Sequence, residues 1–124
     1  MLRVGLGFAI ASCLALAFLG EIAGAQDVQF DRDIRPLLAK NCYHCHGPDE
    51  NTRESELRLD VEAGLFADLG GYQAVVPHSR DASELFQRIA SQDRDMVMPP
   101  ADSDFSLTAE EIASIGEWID RGAE

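Results

Sequence analysis

Cysteine and histidine are scarce in this 124-residue chain, three of each. A structural zinc site usually takes four such ligands, often as two separated pairs. Outside one tight cluster the chain offers only Cys13 and His78, too few for that arrangement. Basic charge is also scarce: ten Lys and Arg stand against 22 Asp and Glu, a formal net charge of −12. Such a balance disfavours nucleic acid and anionic membranes and prefers basic partners. A long apolar run is missing too. Val4 to Leu19 is a stretch of about 16 residues broken by Gly5 and Gly7, short of the roughly 20 that a spanning helix needs. No internal repeat or low-complexity segment is present.

What the chain does have begins at its start. Arg3, the apolar run and the Ala23-Gly24-Ala25 site before Gln26 describe a secretory signal peptide over residues 1–25, cleaved after Ala25. A retained anchor would want a longer run. A lipidated Cys13, after Ile10-Ala11-Ser12, would want a polar stretch next, yet Leu14 to Leu19 stays apolar. Cleavage leaves 124 − 25 = 99 residues, one small domain over 26–124 with a single core. Arg3 and Glu21 cancel, so the charge of that domain is unchanged. An exported location, periplasmic or equivalent, follows, with no membrane span after cleavage.

Helical signals dominate the domain. Asp31 or Asp33 can cap a first helix reaching about Lys40, with Pro36 tolerated near its first turn. Ile34, Leu37, Leu38 and Asn41 recur at helical spacing on one face. Residues 47–56 are polar, open with Gly47-Pro48, and read as an exposed loop. Leu57 to Val61 is either extended or the opening of a short helix through Leu65-Phe66, and Gly70-Gly71 ends it. Asp81 with Glu84 predicts a capping box for a helix carrying Leu85, Phe86 and Ile89, with Ser83 as a competing cap. Met96 to Pro100 is kept irregular by its two prolines. The last helix is the most fully marked. Thr108 caps it, Glu111 closes the box, Leu107 and Ile112 staple it, and Gly122 stops it. Ile112, Ile115 and Ile119 form its stripe, flanked by Trp118. Gly116 in mid-helix costs about 1 kcal/mol against alanine, and a close approach of another helix, most simply the first, would explain it.

Between the first helix and the polar loop stands Cys42-Tyr43-His44-Cys45-His46. This is C-x-x-C-H, the attachment signature for c-type haem. Two thiols three positions apart can each add across one vinyl group of the same porphyrin, and the histidine after the second thiol offers an imidazole nitrogen to the iron. A thioredoxin-like dithiol would want a βαβ context, which is missing, and a plain disulfide leaves His46 idle. The site reading is therefore Cys42 and Cys45 as thioether anchors of one haem c and His46 as the proximal iron ligand. For the second axial position Met98 leads, in a loop stiffened by Pro99 and Pro100. Met96 and His78 are the alternatives, and the bland reading of Met98 is core filler. Arg58 is a candidate partner for a haem propionate, its bland reading being a surface ion pair. His44 reads as exposed. Asp102 and Asp104 read as solvated charge, and no catalytic residue is identified.

The blocks Phe30-Asp31-Arg32-Asp33-Ile34-Arg35-Pro36-Leu37-Leu38, Cys42 to Asp49, Leu57-Arg58-Leu59-Asp60, Ser83-Glu84-Leu85, Met98-Pro99-Pro100 and Leu107 to Ala123, taken together, resemble the planctomycete-type cytochrome c domain. That resemblance implies an all-α, class I cytochrome c fold, about three to five helices around one covalently attached haem. It also implies the ligand set just named. The chain departs from the family's Pro-Gly-Asp-like turn at Pro77-His78-Ser79-Arg80. Domains of this kind also sit at the front of larger proteins, so the chain reads as a stand-alone carrier or as one piece of a larger redox protein. The leading expectation is a single-electron carrier without enzymatic activity that docks a redox partner through the latter's basic surface. The competing expectations are a haem enzyme or gas sensor with an open sixth position, and a zinc or disulfide module for protein contacts.

Overall fold

The computed structural model describes residues 27–124. The signal peptide and cleavage site expected from the sequence, and Cys13, lie outside the described residues. Within them the chain is all-α: five α-helices, no strand, and two isolated bridges, Asp68 with Gln73 and Gln73 with Ser83. No helix there is long and apolar enough to cross a membrane.

The first helical segment has two parts. A π-helical turn, Phe30–Ile34, runs into α1, Arg35–Asn41, with Pro36 in the first turn of the α-helical part. Asp33, expected as a cap, turns back instead. Its carboxylate accepts from the Gln29 amide at 2.8 Å and from Arg32 at 2.7 and 2.8 Å. Ile34 and Leu38 face inward with no exposed surface, while Asn41, on the same face, is buried by donating Nδ2 to the Leu37 carbonyl at 3.1 Å. A buried amide needs such a partner, because leaving it unmade costs about 1–3 kcal/mol.

Two short helices follow: α2, Tyr43–His46, and α3, Glu62–Leu65. The polar loop lies between them. Leu57 to Val61 is irregular and α3 opens only after it, so the second of the two sequence readings is nearer. Further on, a 3₁₀ turn, Arg80–Ala82, leads into α4, Glu84–Ile89. The Asp81/Glu84 capping box does not form. Ser83 is the N-cap residue, so Asp81 lies two positions too early to reach the helix's free amides. The fully buried Ser83 hydroxyl does not cap either. It donates to the Ser79 carbonyl at 2.8 Å and accepts from the Val76 amide at 2.8 Å, tying down the preceding loop. Glu84 pairs with Arg88 one turn on, at 2.7 Å.

The last helix, α5, Ala109–Asp120, forms as the sequence indicates. Thr108 Oγ1 accepts from the Glu111 amide at 3.2 Å, and the Glu111 carboxylate accepts from the Thr108 amide at 2.8 Å. Its far end is a Schellman motif. Gly122, at φ +112°, donates to the Ile119 carbonyl, and Ala123 donates to that of Trp118. Ile115, Trp118 and Ile119 join Ile34, Leu38 and Leu85 in one core, to which Leu59, Leu65, Val75 and Ile89 also belong. Trp118, beside the isoleucine stripe, is buried in this core, its ring centroid 5.4 Å from that of Phe30 and its Nε1 donating to the Glu124 carbonyl at 2.7 Å.

Gly116 does mark a close approach, but not by α1. A Cβ there would come within 2.7 Å of Phe86 Cε2 and 2.8 Å of Arg80 Nη1. Arg80 lies over the Phe86 ring at 5.3 Å and bonds Asp120 at 2.5 Å, so the glycine admits a cation–π pair that fastens α4 to α5.

Candidate haem-binding site

The site starts where α1 ends. The Cys42 amide donates to the Leu38 carbonyl at 2.8 Å, closing α1, and the Cys42 carbonyl opens α2 by accepting from Cys45 at 3.2 Å and His46 at 2.8 Å. Cys42, Cys45 and His46 thus occupy one helical turn at i, i+3 and i+4, the spacing that puts side chains on a common side. Both cysteines are unpaired thiols and half-buried. Burial, and secondarily the neighbouring Cys45, pushes the Cys42 thiol up to about 12, so it stays neutral. α2 stops at Gly47, where a Cβ would come within 2.2 Å of the Tyr43 carbonyl oxygen. Only a glycine lets the chain leave the His46 turn so closely.

The polar loop then folds back over His46. The Glu54 amide donates to the Cys45 carbonyl at 3.0 Å and the Leu59 amide to the His46 carbonyl at 2.8 Å. Between these two anchor points, the Leu57 carbonyl lies 3.2 Å and the Ser55 hydroxyl 3.0 Å from His46 Nδ1. A carbonyl can only accept, so the contact calls for a proton on Nδ1, which in the neutral ring is the tautomer with a lone pair on Nε2.

Met98 is half-buried and packs on the same core as Cys42, Tyr43 and Leu57. Its amide donates to the Arg88 carbonyl at the end of α4, at 3.1 Å. Met96 is 44% exposed. His78 is engaged elsewhere: its amide donates to the Ile119 carbonyl at 2.8 Å and its ring lies against Gly122. It stands at φ +67°, in the left-handed region that a non-glycine residue rarely adopts. Of the three sequence candidates, Met98 is the one that packs against the core.

Arg58 has a partner within its own segment. Nε and Nη2 reach the two Asp60 oxygens at 2.7 and 2.5 Å, and the guanidinium holds the Asp60 carboxyl below its ordinary range. His44 is exposed, its ring 5.5 Å from that of Phe105, and Asp102 and Asp104 are exposed as expected. The contribution of Ser55 escaped the sequence reading. A serine in a polar loop carries no periodic signal, and only the fold brings it to His46.

Two thiols one turn apart, an imidazole with Nε2 bare and a half-buried thioether make a donor set suited to c-type haem. Among the described residues no group of three or more His, Cys, Asp and Glu converges as a metal ion would require, so the zinc reading finds no ligand set there. Residues 42–102 match the family model of planctomycete cytochrome C, the family that the sequence blocks resemble. The protein is also similar to a chain of Kuenenia stuttgartiensis hydrazine synthase, at 29% identity over 77% of this chain, with a TM-score of 0.48. This chain spans 16% of that one. No curated protein sequence matches.

Proposed function

We propose that the protein is an exported single-electron carrier with a class I cytochrome c fold, one haem c bound through thioethers to Cys42 and Cys45, and His46 and Met98 as axial ligands. The observation that carries this reading is the 3.2 Å contact between His46 Nδ1 and the Leu57 carbonyl, which suits the neutral tautomer with Nε2 free as a σ-donor. A metal-binding histidine is commonly prepared in this way. Bound haem supplies an iron that alternates between the ferric and ferrous states.

The chain's own residues do the rest. Cys42 and Cys45 hold the group at the end of α1, and Met98, on a stiff two-proline loop, keeps a weak thioether ligand in place at low entropic cost. The Arg58–Asp60 pair would meet a propionate through the remaining guanidinium nitrogen. The reading assigns no general acid, base or nucleophile. The acidic surface suits a partner with a basic docking face, and residues 1–25 would direct export.

Expression with its leader in a host that attaches haem tests the reading. The mature chain should begin at Gln26 and keep haem colour on a denaturing gel. Cys42→Ser with Cys45→Ser should lose that colour. A colourless wild-type chain would overturn the reading.

A further inference from the structure

His46 Nδ1 has two oxygen neighbours, and they differ in kind. The Leu57 carbonyl belongs to the backbone and is present whatever side chain stands there. The Ser55 hydroxyl, at 3.0 Å the nearer of the two, is a property of this sequence. It has a second bond as well, accepting from the Leu57 amide at 3.2 Å. One hydroxyl thereby fixes the turn that aims the Leu57 carbonyl and itself accepts from the same ring proton. In the opposite tautomer Ser55 could donate to Nδ1, but the Leu57 carbonyl would then face a lone pair. Both contacts are compatible only with the proton on Nδ1.

We propose that Ser55 is a positioning residue for His46, fixing its tautomer and ring plane and raising the electron-donating power of Nε2 through a three-centre hydrogen bond at Nδ1. The inference rests on the reading of His46 as an iron ligand. An acceptor on the far nitrogen makes an imidazole more basic and favours the more highly charged iron. Ser55 therefore holds the reduction potential below what the Leu57 carbonyl alone would set. The side chain is exposed, so a threonine methyl can point to solvent while its hydroxyl keeps both bonds.

The test uses the holoprotein as wild type, Ser55→Ala and Ser55→Thr, each titrated in a spectroelectrochemical cell. Ser55→Ala should keep its c-type spectrum and shift its midpoint potential upward, and Ser55→Thr should return it to the wild-type value. Equal potentials in wild type and Ser55→Ala overturn the proposal. So does an upward shift that Ser55→Thr fails to reverse, which would assign the effect to the turn. The unmutated protein gives a second readout that does not depend on a variant accumulating. In ¹⁵N NMR of the reduced holoprotein, His46 should show a protonated, slowly exchanging Nδ1, and an unprotonated or freely exchanging one would overturn the role of Ser55. Absence of c-type bands from the wild type would instead overturn the carrier reading itself, and this inference with it.

Discussion

The proton on His46 Nδ1 decides what the ring can offer, and a backbone carbonyl 3.2 Å away fixes where it sits. The second ligand proposed, the Met98 thioether, is a weaker donor than an imidazole, so removal of the two residues should have different effects. Met98→Ala leaves both cysteines and His46 intact. The variant should keep covalent haem but bind carbon monoxide readily in the ferrous state, which a spectrum with and without the gas would reveal. An unchanged six-coordinate spectrum in Met98→Ala would assign the ligand elsewhere. His78, held against Gly122 at the end of α5, is poorly placed to take over, and Met96 lies toward solvent.

At the scale of elements, α5 carries the most legible code in the chain. Its capping box and terminal glycine act through hydrogen bonds between residues three to five apart, so sequence alone can place them. Thr108→Ala should cost about 1 kcal/mol of stability, within the usual range for an N-cap, measured as a lower urea midpoint at unchanged slope. The α4 cap was less legible. Asp81 and Glu84 have the right spacing, but the buried Ser83 hydroxyl is held by Ser79 and Val76, contacts that depend on where the preceding loop is folded. Gly116 shows the same division. Its presence in mid-helix announces a close approach, while the partner, Arg80 on Phe86 rather than α1, is set by tertiary packing. The Cys42, Cys45 and His46 cluster was legible because five consecutive residues contain it. Ser55 was not, because eight residues of loop separate it from His46.

Over the whole molecule the excess of acid shapes the response to pH. The Arg32 guanidinium and the Gln29 amide hold the Asp33 carboxyl down at about 2, from an ordinary 3.8. Asp120 is lowered by the Arg80 amide and guanidinium, and Asp60 by Arg58. A carboxyl with a depressed folded-state value stabilises the fold above its unfolded value, and that contribution is lost as pH falls through the folded one. The urea midpoint should therefore hold near neutrality and drop between roughly pH 4 and pH 2. Asp33→Asn should make that drop shallower. A wild-type midpoint that stays level down to pH 2 would show these pairs to be without consequence for stability.

The central claim is a six-coordinate haem held by His46 and Met98, and the visible spectrum of the exported protein tests it most directly. It should be recorded oxidised and reduced, before and after carbon monoxide. The account predicts sharp reduced c-type bands that the gas does not move. Bands that shift on adding the gas would contradict it, and would indicate an open or displaceable sixth position suited to an enzyme or a sensor.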